Sequence, residues 1–276
     1  MRLDVQRNQA HCGAATVAAV LNSLRVKNSS TELSVEGIDF PNTGAYRPYP
    51  YATQANIFNT CTQQTVISNP NVVEDNLTST TEGVIDGILT LPYGLNLPQV
   101  ASLFQCHLST DRWNIHTFHA TPAKAQLPSA TLGETIIITD EEDHVRLQKM
   151  KSIMIEALRK SRSRLIINYH RMWLGQLGGG HFSPIGAYNE EIDSFLILDV
   201  SKYKYPPVWA TFAQIYQAMS TIDNCGLWNF PDAQGKLPDD LKRGLNPSLN
   251  EEQYQAALQL LDCKPTYRGF LVVDER

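Results

Sequence analysis

The chain has 276 residues, 42% hydrophobic and 18% charged, with a formal net charge of −5. At about 100–200 residues per domain, that is one large domain or two modest ones, long enough to bury a core without metals or crosslinks. The composition excludes a disordered, collagenous or coiled-coil chain, and the acidic balance excludes a global basic field for nucleic acid. No apolar run approaches the roughly 20 residues of a membrane-spanning helix, and the polar first ten residues lack the apolar core of a signal peptide. Five cysteines, at 12, 61, 106, 225 and 263, form neither a dense disulfide pattern nor a Cys-x-x-Cys zinc pair. An odd number leaves at least one thiol unpaired within the chain.

The first element is a helix over residues 13–24, apolar on nearly every side and therefore buried. Residues 40–72, rich in Pro, Asn, Thr and Tyr, read as loop with a short helix near 53–60. A helix over 97–104 opens with Pro98 in its first turn. Residues 135–139 are a β-branched run, and 143–160 read as a helix. The period then changes: 164–169, 181–188 and 195–200 are short strand-like runs separated by Gly-rich or acidic turns. A helix over 211–219, a second over 249–261 with Glu251 and Glu252 in its first turn, and a strand over 269–274 complete the chain. Helices dominate the front and strands the back, the α+β pattern of segregated elements.

The chemistry begins at Cys12. A helix N-terminus offers unpaired backbone N–H groups and a partial positive charge, and both favour the nucleophilic thiolate. Gln6 stands six residues upstream, where a side-chain amide can join the Cys12 N–H as an oxyanion hole. The same position equally suits a small buried residue at a helix start. A cysteine nucleophile needs a base, and the base needs an orienting group. His181 follows three glycines and begins a strand-like run, and Asp199 closes the next one. Adjacent antiparallel strands would bring the two side chains to one end of a sheet, where the carboxylate fixes the imidazole tautomer. Taken alone, they are also an ordinary turn histidine and strand-end aspartate. His170 is the rival base, but it lacks the glycine-rich entry and a partner acid.

Gln6-Arg-Asn-Gln-Ala-His-Cys12-Gly13 with its apolar helix, Gly178-Gly-Gly-His181-Phe-Ser-Pro-Ile-Gly186, Leu196-Ile-Leu-Asp199 running on through Lys202, Lys204 and Tyr205 to Trp209, and Arg268-Gly-Phe270 resemble the signatures of phytochelatin synthases. The resemblance covers most of the chain, more weakly over 28–140. It implies a papain-like two-lobed α+β fold, with a helical front lobe and an antiparallel sheet in the back lobe. It implies that Cys12 attacks the cysteinyl–glycine bond of glutathione, that His181 moves the proton, that Asp199 orients His181 and that Gln6 stabilises the oxyanion. The γ-glutamylcysteinyl acyl-enzyme then passes to water or to a second glutathione, giving phytochelatin. By the same resemblance Arg268 and Asp223 bind the γ-glutamyl end, Asn168 and Gly180 border that site, and Lys202, Lys204 and Tyr205 border the second substrate. No cofactor or protein-bound metal is implied; Cd²⁺ or Zn²⁺ enters as a glutathione thiolate complex. Cys106-His107 and His116-x-x-His119 lack a common helical context for a metal site. Glutathione and its metal thiolates are the implied partners, with no nucleic acid or membrane, and a homodimer is implied by the family.

Asp223 and Arg268 lie 45 positions apart, whereas the family places them close together. Residues 226–263 therefore read as an insertion beside the cleft within one catalytic domain spanning 1–276. Cys61, Cys225 and Cys263 read as packing residues or free thiols. The absence of the plant enzymes' cysteine-rich extension resembles the short prokaryotic relatives and tilts the expectation towards hydrolysis. A papain-like peptidase or γ-glutamyl-peptide amidase, and a non-catalytic thiol-peptide binding protein, are the alternatives. Scattered thiols fit the cytoplasm by default; removal of a leader would make the protein an exported one.

Overall fold

A computed structural model describes residues 5–6, 11–25, 52–54, 57, 61, 95–121, 141–223 and 266–276. The expected helix, sheet runs and closing strand all form among them. Helix α1 (Cys12–Arg25) starts one residue earlier than its apolar period. Residues Ala14, Val17, Ala18, Val20 and Leu21 are fully buried, so this helix lies inside the protein rather than on it. Its polar side chains are satisfied there. The Thr16 hydroxyl donates to the Phe182 carbonyl at 3.2 Å, and Asn22 exchanges two 2.8 Å bonds with the Ala52 backbone. Buried polar groups without such partners would cost more than the helix gains from them.

Helix α2 (Leu97–Gln105) is opened by a capping box in which Asn96 and Gln99 satisfy each other's backbone N–H groups, with Pro98 in the first turn. Strand β1 (Trp113–His119) follows; the sequence offers only the extended character of Thr117 and Phe118 there. Helix α3 (Glu141–Arg159) precedes β2 (Ser163–His170), a 3₁₀ turn (Arg171–Leu174), β3 (Gly180–Asn189), β4 (Ser194–Ile197) and β5 (Val208–Thr211). Helix α4 (Phe212–Met219) opens with a second capping box, Thr211 with Gln214. A two-residue ladder joins β6 (Ile222–Asp223) to β7 (Thr266–Tyr267), and β8 (Gly269–Glu275) closes the chain.

One six-stranded sheet, in the order β1-β8-β2-β3-β4-β5, organises these elements. All its pairs are antiparallel. Strand alternation divides the core in two. Ile166, Phe182, Leu271 and Val273 pack with α1 and α2 on one face. Leu165, Ile167, Phe195, Phe270 and Val272 pack with α3 and α4 on the other. A sheet with apolar residues on both faces needs a layer over each, and the helices supply them. The protein is thus mixed α+β around an antiparallel sheet. No helix among the described residues is long and apolar enough to cross a membrane.

Two expectations are corrected. Cys61 is not a free thiol: it is bonded to Cys106, 45 residues away, at the C-cap of α2. This also removes Cys106 from any metal site. Its neighbour His107 places Nε2 2.6 Å from the Ile57 carbonyl, and His116 lies 3.5 Å from Asp274. The strand leading to Asp199 also ends early, at Ile197. Asp199 turns the chain by accepting the Ser201 N–H at 2.7 Å, the i to i+2 bond that aspartate makes at turns. The β-branched run at 135–139, the helix at 249–261, the insertion at 226–263, and Cys225 and Cys263 lie outside the described residues, as does most of the 53–60 helix.

A crosslink spanning this separation stabilises by restricting the unfolded chain, typically by about 2–4 kcal/mol, and persists in oxidising surroundings. Reducing agent should lower the urea midpoint of wild-type protein and leave that of Cys61→Ser unchanged. An equal response in both proteins would mean that the crosslink carries no stability.

Candidate active site

The site forms where the end of β2 and the start of β3 meet the N-terminus of α1. Cys12 is the only free cysteine among the described residues and is buried. Helix α1 begins at it, and the ladder of α1 starts with Ala15 N–H donating to the His11 carbonyl at 2.8 Å. Burial pushes the Cys12 thiol pKa up. Backbone N–H groups of Phe182 and Gly13 directed at the sulfur, and the Arg171 charge between them in strength, oppose that shift. Burial dominates, so the resting sulfur is a protonated thiol surrounded by groups that favour thiolate.

His181, on β3, stands opposite Tyr169 of β2, whose ring meets the imidazole edge-on at 5.6 Å between centroids. The His181 Nε2 lies 2.9 Å from Asp199 Oδ1, and both residues are buried. The sheet brings this pair together from a spacing of 18 residues. A carboxylate accepts only, so Nε2 carries the hydrogen and Nδ1 the lone pair. Burial lowers the His181 pKa to about 4, against the pull of the Asp199 hydrogen bond; Arg171 and Lys204 lower it further. Asp199 goes the other way from its own burial. Hydrogen bonds from His181 and Arg171 overcome desolvation and hold it well below the usual carboxylate range.

Gln6 is tied to the same turn. Its backbone N–H donates to the Val200 carbonyl at 3.0 Å, and its buried side chain donates from Nε2 to Tyr203 Oη at 3.1 Å. The sequence placed Gln6 in the site but gave no signal for Tyr203, which is largely exposed.

A second polar group lies alongside. Asn168, from β2, donates to Asp223 Oδ2 at 2.8 Å. Arg268 Nη2 stands 3.8 Å from Asp223 Oδ1, and Nη1 donates to Thr221 Oγ1 at 2.9 Å. The β6–β7 ladder makes neighbours of Asp223 and Arg268 despite their 45-residue separation. Gly180 leaves room for the guanidinium: a Cβ there would sit 2.8 Å from Arg268 Nη2. Lys202, Tyr203 and Lys204 are exposed on the turn after Asp199. Tyr205 instead lays its ring over the guanidinium of Arg171, 5.0 Å from ring centroid to Cζ.

His170, the rival base, ends β2 on the Arg268 side, with its Nδ1 buried and unpartnered. Burial and then the Arg268 charge lower its pKa to about 3, which leaves it neutral, and the Asp199 carboxylate partners His181 instead. Among the described residues, no three His, Cys, Asp or Glu side chains gather as metal ligands do.

These elements define an α+β protein with a cysteine at a helix start beside a buried His–Asp pair. The chain belongs to the phytochelatin synthase family, whose model matches residues 1–227. A 59-residue stretch is 58% identical to glutathione gamma-glutamylcysteinyltransferase 3 of Lotus japonicus, covering 21% of this chain and 12% of that protein. A 77-residue stretch is 42% identical to glutathione gamma-glutamylcysteinyltransferase 2 of Arabidopsis thaliana, 28% of this chain and 17% of that one. A glutathione gamma-glutamylcysteinyltransferase of Schizosaccharomyces pombe is 44% identical over 59 residues, 21% of this chain and 14% of its own length. The similarity to these relatives is therefore local on both sides. The family match stops at 227, whereas β8, between β1 and β2, completes the sheet.

Both depressed histidines couple stability to pH. The unfolded chain takes up protons near the ordinary histidine pKa of about 6.5, while the folded form resists until about 4 at His181 and about 3 at His170. Stability is therefore full above the unfolded value and declines as pH falls below it. Between pH 6.5 and 5 each histidine should account for about 1–2 kcal/mol of the loss. Urea midpoints measured across this window should fall less steeply for His170→Gln than for wild type; parallel curves would contradict the assignment.

Proposed function

We propose that this protein cleaves the cysteinyl–glycine bond of glutathione through a γ-glutamylcysteinyl thioester on Cys12. The observation that carries the reading is the meeting of Cys12, at the start of α1, with strand β3, which carries both the Phe182 N–H directed at its sulfur and His181, itself bonded to Asp199 beyond β4. Family membership and the names of the partial relatives supply the substrate class.

In this mechanism His181 Nδ1 takes the thiol proton as Cys12 Sγ attacks the cysteinyl carbonyl carbon. Asp199 holds the imidazole in the required tautomer and stabilises the charge that forms on it. The carbonyl oxygen becomes an oxyanion, received by the backbone N–H at the helix start and the Gln6 amide. His181 then returns its proton to the departing glycine amine. The thioester is opened by water, giving γ-glutamylcysteine, or by the amino group of a second glutathione, giving a longer thiol peptide.

Arg268 pairs with the γ-glutamyl carboxylate, and Asp223, held by Asn168, takes its ammonium. Lys202 and Lys204 offer positive charge to the second, anionic substrate. Cd²⁺ or Zn²⁺ enters as a thiolate complex of glutathione, as substrate. We read the chain as one papain-like two-lobed catalytic unit, with residues 226–263 inserted beside the cleft and with a second copy as its partner in solution.

Free glycine released from glutathione tests the reading. Wild type should release it and Cys12→Ala should not rise above the uncatalysed rate; equal release would remove Cys12 from the mechanism. Asp199→Asn should cut kcat by about 10²-fold or more with little change in KM, because it disturbs the base rather than binding. A loss confined to KM would contradict the role of Asp199.

A further inference from the structure

Arg171 has no part in the proton path above, yet it is among the most buried charges near the site, 3% exposed. It is the first residue of the 3₁₀ turn after β2. Its Nη1 donates to Asp199 Oδ2 at 2.7 Å and its Nη2 to Asp199 Oδ1 at 2.9 Å. Nη1 also donates to Gln176 Oε1 at 2.7 Å.

The chain is wrapped around this guanidinium. The Arg171 backbone N–H donates to the Gly179 carbonyl at 3.0 Å, and Gln176 N–H returns to the Arg171 carbonyl at 3.2 Å. Tyr205 covers the guanidinium face, and its Oη accepts the Leu177 N–H at 2.7 Å. Gly178 has φ of 120°, and a Cβ there would stand 3.1 Å from Arg171 Cδ and 3.2 Å from Lys204 Nζ. Only glycine adopts that backbone easily and leaves that space.

We propose that Arg171 is a positioning residue of the reaction: its two-pronged grip fixes the Asp199 carboxylate so that Oδ1 faces His181 Nε2, and its buried charge supports the Cys12 thiolate as it forms. The proposal deepens the reading of Cys12, His181 and Asp199 given above and rests on it. It also assigns Tyr205 to covering this clamp, a task distinct from contact with a second substrate.

The geometry requires arginine specifically. A carboxylate held at one oxygen can rotate about its Cβ–Cγ bond. Two parallel N–H···O bonds remove that freedom, and a lysine, as a point charge, cannot supply both. Oδ1 accepts from Arg171 Nη2, from His181 Nε2 and from the Ser201 N–H at 2.7 Å, while Oδ2 accepts from Arg171 Nη1.

The charged and titratable groups around the guanidinium are Asp199 after β4, His181 on β3, Cys12 on α1, Tyr169 on β2, and Lys204 and Tyr205 on the following turn. The Arg171 charge lowers the pKa of both Cys12 and His181. A neutral replacement must therefore move the ionisation of both to higher pH.

The test compares wild type, Arg171→Lys, Arg171→Met and Cys12→Ala, each checked for folding by circular dichroism. Two quantities are read: the pH at which iodoacetamide begins to alkylate Cys12, and kcat and KM for glycine release from glutathione. Arg171→Lys keeps a charge and loses the two-pronged grip. Its alkylation onset should stay close to that of wild type, while kcat falls about tenfold or more at nearly unchanged KM. Arg171→Met should move the alkylation onset up by about one pH unit. A structural role alone would lower stability without moving that onset.

A kcat within twofold of wild type in Arg171→Lys would overturn the proposal, as would an unmoved onset in folded Arg171→Met. If Arg171→Met does not fold, the kcat and KM of Arg171→Lys decide. The Cys12→Ala protein separates this from the underlying mechanism. Wild-type glycine release by Cys12→Ala defeats the mechanism itself, whereas an inactive Cys12→Ala beside an undisturbed Arg171→Lys defeats only the role of Arg171.

Discussion

A single buried carboxylate, Asp199, gathers the site. It accepts four hydrogen bonds, two from Arg171, one from His181 and one from the Ser201 backbone. An ionised carboxylate out of water is unfavourable by several kcal/mol unless its lone pairs are met by good donors and an opposite charge, and here the three donor residues come from separate stretches of the chain. Arg171 leads out of β2, His181 stands on β3, Asp199 follows β4, and Ser201 begins the turn that carries Lys202 to Tyr205. The requirements of this carboxylate therefore fix the relative positions of those strand ends. Helix α1 joins the same arrangement through Phe182, whose carbonyl accepts from Thr16 and whose N–H meets the Cys12 sulfur.

Around Cys12 two effects of opposite sign compete. Burial favours the neutral thiol, while the backbone N–H groups and the Arg171 charge favour thiolate. His181 is likewise held neutral by burial. The free site thus stores an uncharged thiol and an uncharged base, with the stabilising donors already in place for the ions. In the proposed reaction, charge separation follows arrival of the substrate instead of preceding it. Preorganised dipoles in a low-dielectric site act most strongly on charge that develops there. The residues proposed to hold the γ-glutamyl end follow a comparable logic. Asp223 and Arg268 satisfy one another through the short β6–β7 ladder and Asn168, leaving opposite charges side by side as a zwitterionic substrate end requires.

Much of this was legible in the sequence because its signals are local. The apolar period of α1, Pro98 at the opening of α2, and the strand-like runs of β2, β3 and β8 each reflect burial of a helix or a strand. Cys12, His181 and Asp199 carried recognisable neighbours, glycines before the histidine and an apolar run before the aspartate. What stayed hidden depends on partners distant in sequence. Strand β1 exists because β8 offers it a seven-residue register, from Trp113 with Glu275 to His119 with Gly269, and its own alternation is weak. The buried state of Arg171 follows from Asp199, 28 residues on, and an arginine after a strand ordinarily reads as a surface charge. Tyr203 near Gln6 and the Cys61–Cys106 crosslink are contacts of the same long-range kind. The early end of β4 had a local signal, an aspartate able to cap its own turn, but the apolar Leu198 and Val200 around it masked that signal.

The central claim is that the Cys12 sulfur becomes covalently bonded to the γ-glutamylcysteinyl group. Its most direct measurement is mass spectrometry of the enzyme quenched in acid during turnover of glutathione, with the peptide containing Cys12 mapped. The account predicts a γ-glutamylcysteinyl adduct on that peptide, absent from Cys12→Ala and removed by neutral hydroxylamine as a thioester is. Glycine release without any adduct on Cys12, or an adduct that survives in Cys12→Ala, would contradict it.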